Sequence, residues 1–356
     1  TTTAYAYDTA GRLATRTWAR TVDAQPLTTA YSYDPATGQL TGIDYSDGTP
    51  DVGFTYTRTG LRLTVSDVCG VRTFSYSDAL EETAEAIAGP LCERTLSRSY
   101  DALGRRTGIE VSNASNPPVV EHAATVGYDA YGRLSSAGSG TAEAVYSYTA
   151  NSDLMAGIDF PGDVSANLAW ETTRNVLDAV ENRDGQTVLS RYDYTTDAGG
   201  RRTAVAKSGT AFAQADTVNY AYNSRSEVTG AVAVNDPAYV YGYAFDAIGN
   251  RTGSSLGQDT CQYTTNNLNQ YTALSCLSPS PAYDADGNMT SMPSAAGTWT
   301  LTWDAENRLV RAEAGNLKVE YAYDYMSRRV QKRVYAWQTD TWQLMADNRF
   351  LYDGFL

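Results

Sequence analysis

The sequence contains little lysine, a single histidine and no long run of apolar residues. Its only lysines are Lys207, Lys318 and Lys332, and acidic residues outnumber basic ones by 41 to 27. The formal net charge of −14 argues against nonspecific binding to nucleic acid, because phosphates would be repelled rather than neutralised. No apolar run approaches the roughly 20 residues that a membrane-spanning helix needs. We therefore expect neither nucleic-acid binding nor membrane insertion.

The scarcity of histidine restricts the chemistry that the chain can perform. His122 is the only histidine, so a serine or cysteine triad would have to use it as the general base. The stretch DADGN at 284–288 resembles the start of a calcium loop, but the twelfth position of that loop requires Glu and is Ala295 here. Carboxylates recur periodically and fit turns better than a glycosidase pair. The sequence thus predicts no catalytic residue, no metal site and no cofactor.

Tyrosine, in contrast, is abundant, with 27 copies, and it recurs in one setting. An aromatic residue ends an alternating stretch such as YAY or YSY and is followed directly by aspartate. The clearest pairs are Tyr7-Asp8, Tyr33-Asp34, Tyr100-Asp101, Tyr128-Asp129, Phe245-Asp246, Tyr283-Asp284, Trp303-Asp304, Tyr323-Asp324 and Tyr352-Asp353. With weaker copies between them, the repeat covers the chain from end to end.

Each repeat has the composition of a β-hairpin. The alternation of tyrosine with small residues has the period of a strand. The aspartate favours the first position of a turn, and glycine three residues later adopts the left-handed conformation that closes it. An arginine often follows and begins the returning strand. The residues in these positions include Gly11, Arg12, Gly104, Arg105, Gly132, Arg133, Gly249 and Gly287.

These repeats predict an all-β chain of about 16 antiparallel hairpins. A single hairpin is marginally stable in water, whereas hairpins placed side by side cover one another's edges. We expect one long continuous sheet over residues 1–356 with no separate domain. Because repeats occupy both ends of the sequence, we also expect the array to belong to a larger protein.

The recurring Y-x-Y-D-x-x-G-R pattern resembles the tyrosine-aspartate repeat, also called the Rhs repeat. In that family the repeats form a β-strip that spirals into a hollow shell. The resemblance implies a wall that encloses a toxin or other cargo polypeptide, as in insecticidal toxin complexes and polymorphic toxins; teneurins carry similar repeats. Any self-cleaving aspartate core of the kind found in relatives would lie beyond residue 356.

The resemblance also implies a secreted or cell-surface protein whose partners are a cargo segment of the same longer polypeptide or neighbouring repeats. An alternative stays open, in which the chain is an extracellular adhesin or fibre that binds surface glycans or cells. In a further alternative, copies of the chain assemble into a filament through exposed strand edges.

The four cysteines fall into two local pairs, each placed symmetrically about a predicted turn. Cysteines in that arrangement can face each other across two antiparallel strands. The sequence therefore predicts disulfides Cys69–Cys92 and Cys261–Cys276 and an oxidising compartment. The alternative is four buried free thiols. The cysteine spacing does not fit a zinc site.

One stretch has some helical character. Residues 77–90, SDALEETAEAIAGP, are rich in helix formers and end at Gly-Pro. Their place in the repeat predicts either an elongated hairpin or one short helical turn. Residues 112–122 and 156–167 are predicted to be loop insertions.

Overall fold

A computed structural model describes residues 2–295 and 297–354, and its regular elements there are all β-strands. Their bounds are β1 Ala4–Tyr7, β2 Leu13–Val22, β3 Gln25–Tyr33, β4 Leu40–Tyr45, β5 Val52–Tyr56, β6 Arg62–Asp67, β7 Gly70–Tyr76, β8 Glu82–Ala88, β9 Glu93–Tyr100, β10 Arg106–Asn113, β11 Val120–Tyr128, β12 Leu134–Ser139, β13 Ala142–Tyr148, β14 Met155–Phe160, β15 Val164–Trp170, β16 Leu177–Asp184, β17 Thr187–Thr196, β18 Arg202–Ser208, β19 Asp216–Tyr222, β20 Val228–Ala233, β21 Val240–Phe245, β22 Arg251–Leu256, β23 Asp259–Thr265, β24 Tyr271–Leu274, β25 Ala282–Tyr283, β26 Met289–Ser294, β27 Gly297–Trp303, β28 Leu309–Ala314, β29 Leu317–Tyr323, β30 Arg329–Gln338 and β31 Thr341–Arg349. In this part of the chain, no helix is long and apolar enough to span a membrane.

The strands form a 24-stranded sheet, β1–β24, and a 7-stranded sheet, β25–β31. Pairing is antiparallel between strands that follow each other along the chain, as in β12 with β13 and β13 with β14. The predicted all-β array of hairpins is therefore confirmed. The stretch that had helical character forms strand β8, and the predicted loop at 156–167 is wrong, because β14 and β15 occupy it with a short turn between them.

The hairpin register shifts by one residue just before the recurring Asp-x-x-Gly turns. Gly127 pairs with Ser136, but the next residue, Tyr128, pairs with Leu134. The same shift occurs directly after Ala6, Ser147 and Thr302, among other residues, and each time a turn follows. A β-bulge of this kind bends the strand and redirects a side chain. The shift places the aromatic residue before each aspartate in an equivalent position.

The chain divides into two compact units, which we describe separately. The first comprises residues 1–99, 109–122 and 277–356. One of its cores consists of Val52, Val65 and Phe74, with Tyr325 packed against it. A second core contains Cys69, Ile87 and Val330. Within this unit, side chains of β5–β8 thus pack with side chains of the segment that forms the 7-stranded sheet.

The second unit comprises residues 100–108 and 123–276. Its buried cluster is small and consists of Val218, Ala231 and Ala233, covered by Tyr220, Tyr239 and Tyr241. Tyrosine rings therefore bury the strands where a more conventional core would use leucine or isoleucine. That the whole chain is one continuous domain stays a prediction.

Candidate functional site: the turn ladder and a buried ion cluster

The recurring turn is closed by its aspartate, as the Asp101 turn shows. The backbone N–H of Gly104 donates to the carbonyl of Asp101 at 3.0 Å, and Gly104 has a φ of 74°. One carboxylate oxygen of Asp101 accepts hydrogen bonds from the backbone N–H groups of Leu103 and Arg105, at 2.9 and 3.0 Å. The other accepts from Nε of Arg105 at 2.7 Å. The Asp and Arg of the motif thus act on the turn itself.

The same aspartate-arginine contact recurs in other turns, with Nε to Oδ2 distances of 2.6–2.8 Å. It joins Asp8 to Arg12, Asp129 to Arg133, Asp197 to Arg201, Asp304 to Arg308 and Asp324 to Arg328. Where asparagine replaces the arginine, Nδ2 of Asn250 and of Asn288 makes the equivalent bond to Asp246 and Asp284. The Asp34 turn differs, because Asp34 binds Thr37 instead.

Many turns are also joined to the aromatic residue that ends the next hairpin, and we call this series of contacts the turn ladder. The guanidinium of Arg105 lies 4.4 Å from the centroid of the Tyr128 ring, and the Tyr128 hydroxyl donates to the carbonyl of Arg106 at 2.8 Å. Such cation–π contacts contribute roughly 0.5–1 kcal/mol at exposed sites. Equivalent hydroxyl-to-carbonyl bonds are made by Tyr33, Tyr56, Tyr76, Tyr148, Tyr222, Tyr323 and Tyr352.

Tryptophan can replace tyrosine at this position and make the same kind of hydrogen bond. Trp170 and Trp303 replace tyrosine, and their indole N–H groups donate to the carbonyls of Met155 and Met289, both at 2.7 Å. Phenylalanine has no donor, and Phe245 occupies this position without that bond. Arginines extend the ladder further: Nη1 of Arg133 donates to the carbonyl of Ser152 in the following turn at 2.6 Å.

We predict that Tyr148→Phe destabilises the second unit by about 1 kcal/mol, because it removes one hydrogen bond and leaves the Leu134 carbonyl without its donor. The stacking of Arg133 on the ring, at 4.2 Å, is retained in this variant. Urea unfolding followed by tyrosine fluorescence measures the change. Tyr131→Phe is the matched control, since Tyr131 is 84% exposed on a turn. Equal stability of the two variants would contradict the role of the hydroxyl.

The turn carboxylates of Asp101 and Asp197 have a lowered pKa, which favours their ionised form. The side-chain hydrogen bond from Arg105 lowers the pKa of Asp101, and that from Arg201 lowers the pKa of Asp197. A carboxyl whose pKa is lower in the folded state stabilises the fold above its unfolded pKa of about 3.9. That contribution is lost as the pH falls through the folded value.

We therefore expect the melting temperature to fall as the pH is lowered from about 5 towards 2. NMR titration of the Asp101 carboxyl in the wild type and in Arg105→Gln measures the contribution of one turn. The Asp101 pKa should rise towards the value of free aspartate in the variant. A wild-type Asp101 that titrates like free aspartate would show that the turn does not hold the charge.

In the first unit, one turn of the 7-stranded sheet is buried in an ion cluster. Arg72, only 2% exposed, approaches Asp67 at 3.3 Å and Asp324 at 3.4 Å, and it also donates to Glu85. The Asp324 side chain is fully buried and pairs with Arg328 at 2.6 Å. Asp324 therefore closes its own turn and at the same time joins that turn to β6–β8.

A second buried arginine extends the cluster. Arg98 is 8% exposed and pairs with Glu82 at 2.6 Å and with Glu85 at 3.5 Å. Its Nε donates to Asp353 at 2.9 Å. Strand β9 is thereby connected to a further aspartate of the repeat. Removing one member of such a network leaves other charges buried and unpaired.

The turn at Asp304 lies against β2 and the turn that follows β4. Arg16 pairs with Glu306 at 2.7 Å, and the indole N–H of Trp18 donates to the carbonyl of Ala305 at 2.8 Å. The backbone N–H of Ala305 donates to the Thr49 hydroxyl at 2.9 Å. Ala305 itself is fully buried.

The stretch that resembles a calcium loop is engaged in the same way. Arg20 approaches Asp284 at 3.2 Å and Asp286 at 3.3 Å, and the backbone N–H of Ala19 donates to Asp286 at 2.7 Å. Both carboxylates therefore face an arginine. No group of three or more possible metal ligands occurs among the residues that the structure describes.

The structure forms one of the two predicted disulfides. Cys261 and Cys276 are bonded, with Cα atoms 5.0 Å apart. The register explains why: Tyr263 pairs with Leu274, so continuing two residues outward places Cys261 opposite Cys276.

The predicted Cys69–Cys92 bond is not formed, and both thiols are free. Val71 pairs with Ala88, so the same extension places position 69 opposite position 90 rather than 92. The prediction that placed Cys69 and Cys92 symmetrically about the turn was therefore wrong by two residues in the strand register. Burial raises the pKa of Cys69 to about 12, which keeps its thiol protonated and unreactive.

The motif residues named from the sequence thus lie in turns and at strand ends, whereas no motif of the repeat indicated the ion cluster. Arg72 and Glu85 are in alternating strands that look like any others. A weak signal existed in strand β7. Arg72 stands two residues before Phe74 and therefore lies on the same, buried face of the strand.

The chain matches no protein-family profile and no curated protein. Among solved structures it is similar to one described as "Crystal Structure of TcdB2-TccC3", with 16% identity and a TM-score of 0.49 over 96% of this chain and 24% of that one. A porin-like protein from Bacteroides uniformis gives 14% identity and a TM-score of 0.25, over 62% of this chain and 92% of that one. This chain thus spans about a quarter of the first structure's length, and neither likeness indicates what it does.

Proposed function

We propose that the chain is a structural wall segment of a large Rhs-type protein and that the wall encloses a cargo polypeptide. The observation that carries the proposal is the turn ladder. The same arginine-to-ring contact and hydroxyl-to-carbonyl bond recur from Arg12 and Tyr33 to Arg328 and Tyr352. A chain built for one local site would not need the same connection throughout its length.

The proposed mechanism is passive. Backbone pairing within each of the two sheets leaves few amide groups open to a protease, and the tyrosine rings stiffen the contact between neighbouring hairpins. The motif carboxylates are occupied by turn N–H groups and arginines, which supports a role other than catalysis. The Cys261–Cys276 disulfide supports a secreted or surface location, because disulfides persist in oxidising compartments.

Limited proteolysis of the full polypeptide that contains this chain tests the proposal. We expect a protected cargo segment in the native protein and its rapid digestion when Arg72→Ala loosens the wall. The Arg58→Gln variant is the control, because Arg58 is exposed in a turn of the array. Equal protection of every segment in native and loosened protein would overturn enclosure as the function.

Pairing between chains is a second candidate function, and strand β31 favours it. Among the described residues this strand pairs only with β30, and its Leu344 and Met345 are 53% and 59% exposed. Edge strands with exposed apolar side chains readily pair with another chain. Light scattering that rises with protein concentration, and that Met345→Lys suppresses, would support a filament. A monomer at all concentrations would contradict it.

A further inference from the structure

A groove in the second unit lies along β22, between side chains of β21 and β23. Its volume is about 340 Å3. Tyr241 and Tyr243 line one side, with ring planes inclined by 16° and centroids 6.5 Å apart. Tyr263 and the Cys261–Cys276 disulfide line the other side. The groove has two aromatic walls, and one of them is covalently fixed.

The groove exists because β22 carries a small residue between large ones. The register aligns Tyr243 with Ser254 and Ser254 with Cys261, so the three side chains share one face of the sheet. Ser254 is too short to fill the space between the walls. Its hydroxyl lies 2.9 Å from the Tyr263 hydroxyl, and this contact holds the ring in place. The site is therefore organised before any ligand arrives.

Opposite charges lie at the two ends of the groove. The Arg251 guanidinium is 4.9 Å from the Tyr243 centroid and 5.8 Å from the Tyr263 centroid. Within the described part of the chain, no carboxylate lies within ion-pair distance of it, and an arginine stacked on rings keeps its in-plane donors available. Asp259, at the other end, is exposed and likewise has no cationic partner in that part.

The spacing of these charges suits an extended polypeptide. Arg251 begins β22, and Asp259 pairs with Leu256 at the end of that strand. With a rise of about 3.3 Å per residue, the two positions are roughly 16 Å apart. A ligand of this length with ionic groups at both ends matches an extended peptide whose acidic and basic side chains are about five residues apart.

We propose that this groove binds an extended polypeptide segment, with a carboxylate side chain at Arg251, a cationic side chain at Asp259 and an apolar side chain between the tyrosine walls. The inference rests on the proposed function in one respect, since it identifies by its chemistry a segment that the wall would hold. The Arg251 guanidinium lies 4.9 Å from the Tyr243 centroid and can donate a charge-assisted hydrogen bond to the carboxylate.

Fluorescence anisotropy with a short labelled peptide tests the proposal. The probe has one aspartate and one lysine about five residues apart, with leucine between them. We expect Arg251→Gln to weaken binding about tenfold and replacement of the peptide aspartate by asparagine to do the same. Arg58→Gln, the matched control, should leave binding unchanged. Equal affinity of wild type and Arg251→Gln would overturn the proposal.

A charge reversal keeps the test decisive if Arg251→Gln disturbs the fold. We expect Arg251→Glu to bind a probe with lysine in place of aspartate more tightly than the original probe. Failure of this rescue, or preferential binding of a neutral oligosaccharide, contradicts the assignment. If the peptide does not bind in the groove, the proteolysis test of the wall is unaffected. If the peptide binds but no cargo segment is protected, only the proposed enclosing function is disproved.

Discussion

Replacing Arg72 with alanine is expected to lower the free energy of unfolding of the first unit by about 3–5 kcal/mol. Arg72 is 2% exposed and faces Asp67, Glu85 and Asp324. Without the guanidinium, these carboxylates would remain buried, and the positive charge left near them would not neutralise them all. The cost arises mainly from those unpaired charges rather than from the lost ion pairs themselves.

Chemical denaturation monitored by circular dichroism measures this effect. Arg12→Ala is the control, because Arg12 makes an aspartate contact of the same kind but its side chain is 32% exposed, as is usual for surface pairs worth about 1 kcal/mol or less. We also expect Asp324→Asn to lose less stability in the Arg72→Ala background than alone. Additive losses would show that the two residues do not act as one cluster.

Removing the Cys261–Cys276 bond is expected to destabilise the second unit by about 3 kcal/mol. The bond closes a loop with a sequence separation of 15, for which restriction of the unfolded chain gives roughly that value. The double variant Cys261→Ser/Cys276→Ser and the reduced wild type should unfold at the same, lower denaturant concentration.

The reductant supplies the control for this prediction. Cys69 and Cys92 are already free thiols, so reductant should not change the stability of the double serine variant. A double variant as stable as the oxidised wild type would show that the bond contributes nothing. A further loss on reduction of the variant would indicate a second disulfide.

Local chemistry made the hairpins and their turns predictable from the sequence. Asp101 and Gly104 act within four residues of each other, and their roles follow from the φ preference of glycine and the acceptors of aspartate. The Cys261–Cys276 bond was predictable for the same reason, since it spans one hairpin. Alternation of tyrosine with small residues indicated the strands that end in the motif, whereas β14 and β15 lie in a stretch that was predicted to be a loop.

Contacts between distant repeats were not predictable. Arg72 and Asp324 are 252 residues apart, and nothing in the repeat distinguishes the Asp324 turn from exposed ones such as the Asp8 turn. Burial of a turn depends on which strands pack over it, which a periodic sequence leaves undefined. The groove along β22 was missed because Ser254 matters only through the taller residues on neighbouring strands.

Cryo-electron microscopy of the full polypeptide tests the central claim most directly. The account predicts consecutive hairpins that form one continuous wall around an enclosed space, with density for another polypeptide segment inside it. A continuous helical polymer, joined through strand edges and without an enclosed segment, would contradict the account.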